Sequence, residues 1–284
     1  MTRLTTTDTR SAQRASTLPL VDQIARIEAR IRSQPTTAPH RWALFQLLCI
    51  VGEWSRAIQQ LQVWAKLEPG QGRTAQMYRD LIRAERWRAK VVEGRERPGV
   101  VLASPPWVDA LLDAVRHAAD GQVEQADALR DAAFQAAPDV PLVARSPGHA
   151  AWIADSDTRF GPVCEVITAG HYRWVPFADL AAWRVSQPAQ PVDLVWAPCT
   201  LTLVDGSLVH GFMPARYPGS ETNSDAVRLG HETFWRDIGR TGVVALGRKT
   251  WATDLSDFSL FELAHAEFGS RATRAAIDAV QDHD

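Results

Sequence analysis

The sequence has few of the features that mark membrane, secreted or metal-binding proteins. Nowhere in its 284 residues do apolar residues run uninterrupted for anything near the roughly eighteen that a membrane-spanning helix needs. The first 17 residues, MTRLTTTDTRSAQRAST, lack the apolar central run of a secretory signal. Their polar composition predicts a disordered tail, because such a segment has too little apolar surface to bury.

Cysteine is scarce and widely spaced. Cys49, Cys164 and Cys199 each lie in an apolar segment, which argues against a disulfide framework or a zinc site and favours reduced, buried thiols in a cytoplasmic protein. The eight histidines show no zinc-binding spacing, and the G-x-S-x-G and phosphate-loop signatures are absent. The sequence therefore predicts no cofactor and no bound metal, and it gives an enzyme no positive support.

Charge is almost balanced over the whole chain but is unevenly distributed along it. Residues 1–97 hold 17 Lys plus Arg against 9 Asp plus Glu, a balance of +8. The remaining residues hold 14 against 24, a balance of −10. Such a division can steer partners to one end of a molecule, and it can equally help two domains dock on each other.

The first half of the chain has helical periodicity. Two segments, LFQLLCIVGEWSRAIQQLQVWAKLEP and LLDAVRHAADGQVEQADALRDAAFQAAP, break at Gly52 and Gly121 and end at Pro69 and Pro138. The prolines are 69 positions apart, about twice the roughly 34-residue tetratricopeptide period, and Pro35 precedes Pro69 by 34. This spacing indicates tetratricopeptide-like helical hairpins, with an unrelated helical bundle as the alternative.

The pattern changes at PDVPLVARSPGH, residues 138–149. Beyond it, about seven short strands alternate with turn residues, and Asp205–Gly206 between two such runs predicts a β-hairpin. A small closed barrel or sandwich is expected. The predicted organisation is a disordered tail at 1–17, a helical domain at 18–138, a linker at 139–149, a small β-barrel domain at 150–268 and a C-terminal tail at 269–284.

Four strings resemble successive signatures of the ImpE family: FQLLCIVGEWSRAIQQLQ, WIADSDTRFGPVCEVITAGHYRWVPF, DLVWAPCTLTLVDG and GFMPARYPGSE. The resemblance runs in order from about residue 18 to 268. Members are also described as SciE-type virulence proteins and include the TagJ accessory proteins of bacterial type VI secretion. The resemblance implies an α+β multidomain fold, with tetratricopeptide-like α-helical hairpins followed by a small antiparallel, SH3-like β-barrel.

The resemblance also implies a role and partners. It implies a cytoplasmic, non-catalytic adaptor that binds the small subunit of the type VI contractile sheath and assists the ClpV ATPase, which disassembles the contracted sheath. Direct contact with ClpV is left open, and a membrane is not among the implied partners.

The helical hairpins suggest where a partner would bind. In tetratricopeptide-like hairpins the first helix of each unit lines a concave face, and an apolar groove of this kind suits an amphipathic partner helix. The alternative is that these side chains are simply core, covered by neighbouring helices or by the β domain. The predicted lining residues are Trp42, Gln46, Cys49, Val108, Leu111 and Val115.

The stretch DSDTR carries the only visible candidates for chemistry. A metal-dependent enzyme using Asp155 and Asp157 would need further ligands, since a hard cation takes about six oxygens. No other acidic cluster accompanies them in the sequence. The favoured interpretation is a turn in which the aspartates accept backbone N–H groups and Arg159 pairs with one of them. This turn is also a candidate partner-binding surface.

Two further stretches have alternative interpretations. In RYPGSE, Pro218–Gly219 fits a type II turn with a positive φ at the glycine. Arg216 and Tyr217 are either a binding handle or, for the tyrosine, a side chain packed on the barrel. The basic segment RDLIRAERWRAK around Trp87 allows nucleic-acid binding, but the solvated face of an amphipathic helix is favoured, so nucleic acid is not expected as a partner.

Overall fold

Helices make up the first half of the described chain. The computed structural model describes residues 18–144 and 148–269. The predicted turns between helices are confirmed at Gly52 and Gly121, where φ is +73° and +76° and a residue without Cβ is favoured. The six long helices are α1 Leu20–Ser33, α2 Ala38–Ile50, α3 Trp54–Leu67, α4 Gly72–Val92, α5 Pro106–Ala119 and α6 Val123–Ala136.

Helix α2 is central to the helical part. Every residue from Leu44 to Ile50 is buried, so this half of the helix is surrounded on all sides rather than amphipathic. An aromatic cluster fixes its neighbours, with ring centroids 4.6 Å apart for Trp42 and Trp64 and 5.2 Å apart for Phe45 and Tyr78. The first three helices and α4 therefore share one packed interior.

The second half is rich in β-structure. It also contains a short helix, α7 Asp225–Arg228. The strands are β1 Gly99–Val100, β2 Leu142–Ala144, β3 Gly148–Ala150, β4 Ile153–Asp155, β5 Val163–Thr168, β6 His171–Pro176, β7 Leu180–Val185, β8 Trp196–Leu203, β9 Leu208–Pro214, β10 Thr233–Ile238, β11 Gly242–Gly247, β12 Thr250–Thr253, β13 Asp257–Ser259 and β14 His265–Phe268.

The described strands form an open sheet and two smaller ones. The nine-stranded sheet has the order β1-β6-β5-β9-β8-β7-β14-β2-β3, while β10-β11 and β13-β12-β4 stand apart from it. Its edges, β1 and β3, lie at opposite ends of this order and do not pair. No closed barrel is found within residues 18–144 and 148–269, so the expected SH3-like barrel is not confirmed.

The hairpin predicted at Asp205–Gly206 is confirmed. Strands β8 and β9 pair antiparallel from Trp196–Pro214 to Thr202–Leu208. Gly206 has φ +85°, and the Asp205 carboxylate accepts the Ser207 N–H at 2.9 Å. The turn residues therefore behave as their type predicts.

The helical and β parts are interlaced rather than separated by a free connection. Strand β1 lies between α4 and α5 in the chain, yet it joins the large sheet by parallel pairing with β6. Within the predicted linker at 139–149, β2 pairs with both β14 and β3, and its Leu142 is buried in the core. The predicted tail at 1–17, residues 145–147 and the C-terminal tail beyond 269 lie outside the described residues.

Strand alternation sets up the interior. Along β5, Val163 and Ile167 join the core shared with the helices, whereas Cys164 and Val166 join a second core within the sheets. Glu165 therefore points towards the helices, into a buried space. No helix in the part of the chain that the structure describes is both long and apolar enough to cross a membrane.

The two turn glycines give a matched test of how the parts pack. A Cβ on Gly52 would lie 2.7 Å from Glu221 Cγ, whereas one on Gly121 meets no described atom within 4 Å. We expect Gly121→Ala to lower the free energy of unfolding by the roughly 1–2 kcal/mol of a left-handed backbone. Gly52→Ala should cost about 1–3 kcal/mol more, because Glu221 has to move.

Urea unfolding of both variants measures the difference. Equal losses would contradict the close contact between the α2–α3 turn and the β part.

Candidate functional site

The residues predicted to line a helical groove do not form an open surface. Trp42 keeps partial exposure but packs on Trp64 and Tyr78, and Gln46 accepts the Val192 N–H at 3.4 Å. As placed, the other residues offer no surface to a partner, because neighbouring helices and the turn at Pro191–Leu194 cover them. The buried members of the set are Gln46, Cys49, Val108, Leu111 and Val115.

The DSDTR stretch forms the predicted turn. Asp155 Oδ1 accepts the Asp157 N–H at 2.9 Å, and Asp157 Oδ1 accepts the Arg159 N–H at 3.0 Å. The Arg159 guanidinium pairs with the Asp157 carboxylate at 2.5 Å, and the Ala245 N–H also donates to Asp157 at 2.9 Å. The structural interpretation is therefore confirmed, and both aspartates are buried rather than partner-facing.

The RYPGSE stretch is also interior. Gly219 has the predicted positive φ, +88°. Arg216 is buried and donates to the carbonyls of Cys49, at 3.1 Å, and Ile50, the last carbonyls of α2. A cation at this position satisfies carbonyls that the helix leaves unpaired and complements the negative end of its dipole. Arg216 is thus a helix cap, not an exposed binding handle.

The side chain of Tyr217 is packed in the interior rather than exposed as a binding handle. Its ring is fully buried, and its hydroxyl lies 2.8 Å from Asp155 Oδ1 and 2.9 Å from the Thr250 carbonyl. The same oxygen accepts the Thr250 N–H at 3.0 Å. Tyr217 therefore joins the RYPGSE and DSDTR stretches within the protein.

Both stretches meet at a buried ion-pair network, which we define as Arg88, Asp155, Glu165 and Lys249. The Arg88 guanidinium binds the Glu165 carboxylate through two hydrogen bonds, of 2.6 and 2.9 Å. The Lys249 ammonium donates to both Asp155 and Glu165. All four side chains are almost completely removed from solvent. The network joins α4 to β4, β5 and the segment between β11 and β12.

Further side chains hydrogen-bond to the charged groups of the network. Tyr172 donates to Glu165 Oε1 at 2.5 Å and accepts the Trp174 indole N–H at 2.7 Å. Glu85 accepts from Arg88 at 3.0 Å and from the Trp196 indole at 3.0 Å. These bonds stabilise the network, because buried charges are tolerated only when they are paired and hydrogen-bonded.

The network is ionised at neutral pH. Burial alone would raise the pKa of Glu165, but the charges of Arg88 and Lys249 outweigh it and lower that pKa to about 2. Burial raises the pKa of Asp155 to about 6, against the opposing pull of Lys249. Burial also disfavours the charged form of Lys249, yet Asp155 and Glu165 raise its pKa overall. Two cations therefore face two anions.

The surroundings of the two carboxylates bear on the metal-binding alternative. The Lys249 ammonium lies between the two carboxylates, in the position that a metal ion would need. Nowhere in residues 18–144 and 148–269 do three His, Cys, Asp or Glu side chains group as metal ligands. The three cysteines are buried and free, as predicted, and burial raises the pKa of each thiol, that of Cys199 to about 12.

Sequence reasoning missed two members of the network and misplaced a third. The partners of Lys249, Asp155 and Glu165, are 94 and 84 positions away in the sequence, so no local spacing predicts these pairs. Glu165 interrupts the apolar run VCEVIT, which is the one local sign of a buried charge. Arg88, assigned to a solvated helix face, is instead buried at 1 % exposure.

The fold and this network define a class: helical hairpins packed on a mainly antiparallel sheet and tied to it by buried ion pairs. Residues 148–267 match the sequence model of a family described as ImpE protein. The chain is 40% identical over 252 residues to the type VI secretion system accessory component TagJ of Pseudomonas aeruginosa, covering 88% of this chain and 87% of that protein. The chain therefore belongs to the ImpE family, as its sequence signatures predicted.

A solved structure shares the fold. The crystal structure of a protein from Vibrio parahaemolyticus superposes with a TM-score of 0.81, covering 88% of this chain and 94% of that one, at 24% identity. At this level of identity the likeness establishes the fold alone.

Removing the central cation should strongly destabilise the protein. We expect Lys249→Met to lower the free energy of unfolding by about 3–5 kcal/mol, because Asp155 and Glu165 would keep buried charges without their partner. Lys66→Met, at an exposed position, should stay within about 0.5 kcal/mol of the parent. Urea unfolding at neutral pH compares them, and similar losses for the two variants would contradict the buried network.

The low pKa of Glu165 gives a pH test with a definite sign. Since its pKa is about 2 in the folded protein against an ordinary 4.5, its stabilising contribution is present above 4.5 and is lost as the pH falls through 2. The parent should therefore be more stable than Glu165→Gln at neutral pH, and the difference should shrink as the pH falls below 4.5. Glu267→Gln removes a carboxylate at an exposed strand position and serves as the matched control. Unfolding free energies at successive pH values measure it.

Proposed function

We propose that this chain is a non-catalytic adaptor of bacterial type VI secretion, which binds the small subunit of the contractile sheath and assists ClpV in sheath recycling. The observation that carries the proposal is the 40% identity to a type VI accessory component over 88% of the chain. Its proposed location is the cytoplasm.

The buried network supports a role without catalysis. An enzyme needs ionisable groups that can reach a substrate, whereas Asp155, Glu165 and Lys249 are engaged with one another and enclosed. Their mutual pairing explains their presence in the core without a catalytic role. The rival interpretation, a metal-dependent enzyme using Asp155 and Asp157, would require Lys249 and Arg159 to leave their partners.

We further propose that the hairpins α2–α3 and α5–α6 are of the tetratricopeptide type. Ala57 and Ala126 each follow the turn glycine by five positions, and both are buried where two helices touch. Small residues at such positions let helices approach closely. The open sheet gives no comparable support to an SH3-like barrel.

Partner binding is proposed for the outer surface of this scaffold. Of the predicted binding residues, Trp42 and Arg159 alone keep partial exposure; the others position the helices and strands from within. A surface that binds a rigid partner needs such support, because loosely held contact residues lose entropy on association.

Titration calorimetry of the full chain with the cognate small sheath subunit tests the proposal. We expect saturable binding, because the adaptor role requires a direct complex, and no heat of binding with the large sheath subunit alone. In cells, deleting the gene should lengthen the lifetime of contracted, fluorescently labelled sheaths, since their recycling would slow.

Two results would contradict this function. One is absence of binding to both the small subunit and the assembled sheath. The other is tight divalent-metal binding that Asp155→Asn abolishes, which would favour the enzyme.

A further inference from the structure

A cationic cleft lies on the outer side of α4. It has a volume of about 530 Å³ and is bounded by α4, the segment entering β1 and strand β6. Trp87 forms one wall and is 39% exposed, which is unusual for so large an apolar side chain. The polar residues lining the cleft are Arg83, Arg97, His171 and Arg173.

The charged residues that line this cleft are all cationic. Its lining includes three arginines and no carboxylate. Arg83 pairs with Asp80 and Arg97 with Asp109, but each arginine is more than half exposed, so both pairs are weak and can be exchanged. Among the described residues no carboxylate pairs with Arg173, whose guanidinium donates to the Val100 carbonyl at 2.6 Å. Lys90 adds a further cation, 5.6 Å from the Trp87 ring.

The cleft is held in shape from several sides. The Trp87 indole N–H donates to the Arg97 carbonyl at 2.9 Å, and Gly99 pairs with Arg173 across β1 and β6. On the helix itself, the next residue, Arg88, is anchored in the buried network, which fixes the rotation of α4 about its axis. Because Arg88 is fixed on the inner face of α4, the neighbouring Trp87 is held on the outer face.

We propose that this cleft docks an acidic segment of the small sheath subunit. Carboxylates of that segment pair with Arg173 and Arg97 in the forked geometry that guanidinium groups favour, and an apolar side chain packs on Trp87. This inference rests on the proposed function, which supplies the partner; the cleft supplies the chemistry by which the partner is recognised.

A nucleic acid fits the cleft less well than a peptide. Phosphate recognition uses an extended basic surface along the backbone. Here Asp80 and Asp109 flank two of the arginines, and they would repel a polyphosphate that continues past the cleft. The enclosed volume suits a few side chains. The exposed Trp235 on β10 borders a different cleft, whose rim carries Asp139 and Asp257 rather than arginines.

Matched variants of the full chain test the proposal by titration calorimetry with the small sheath subunit. Trp87→Ala and Arg173→Gln should each weaken binding about tenfold or more, as loss of a central aromatic or arginine contact does. Trp235→Ala and Arg236→Gln change an equally exposed tryptophan and an exposed arginine elsewhere, and they should leave the affinity unchanged. Raising the salt from about 50 to about 300 mM should weaken the parent complex.

Thermal unfolding of each variant checks that the fold is kept, and Arg83→Gln, at a more exposed position, replaces Arg173→Gln if that variant misfolds. Unchanged affinity in Trp87→Ala and in the arginine variant overturns the cleft but leaves the adaptor. Loss of binding in Trp235→Ala alone moves the site to β10. Binding of single-stranded nucleic acid that Arg173→Gln abolishes, with sheath binding intact, replaces the peptide. Absence of sheath binding by the parent chain overturns both proposals.

Discussion

The ammonium of Lys249 between the carboxylates of Asp155 and Glu165 is the interaction on which the rest of the structure depends. An unpaired charge at this depth would cost several kcal/mol, so each member of the network depends on the presence of the others. Arg88 extends the requirement to α4 through its paired hydrogen bonds to Glu165. A well-packed apolar core would give comparable stability with less demanding geometry. What the charges add here is register, because Lys249 reaches both carboxylates only when β4, β5 and the β11–β12 connection are correctly aligned.

Arg216 forms a second link between the helical and β parts. Arg216 satisfies the last carbonyls of α2, and its own carbonyl accepts from Arg88 at 3.1 Å. The end of a central helix therefore depends on a residue of the β part, while a helix of the first half completes the charge balance of a strand. Strand β1 adds backbone pairing between the same two parts. With charges, a helix cap and a strand all crossing the junction, neither part retains its hydrogen-bond partners without the other. We therefore regard the two parts as one cooperative unit, even though their sequences change character sharply at residues 138–149.

Local patterns were enough to predict much of this fold, and their limits follow from physical range. Periodicity and turn glycines gave the helices around Gly52 and Gly121, and Asp205–Gly206 gave the β8–β9 hairpin, because each of these depends on neighbours in sequence. Strand β1 has two residues, too few for any alternation to show. The network was not predictable, because its members are up to 94 positions apart and a charged side chain is ordinarily taken to face solvent. The candidate site residues have the same limit: Arg216 and Asp155 are residue types common in binding sites, and only the fold reveals that their hydrogen-bond partners lie within the protein.

Consecutive residues of α4 connect the interior to the proposed surface. On a helix, neighbouring positions are rotated by about 100°, so Arg88 in the network and Trp87 in the cleft face different directions from one turn. The buried guanidinium, held by Glu165 and Glu85, has little freedom, and the backbone that carries it has correspondingly little. A binding surface on that backbone is pre-organised, and less ordering entropy opposes association. In this chain, the buried ion pairs of Arg88 thus help to give the outer face of α4 a fixed shape.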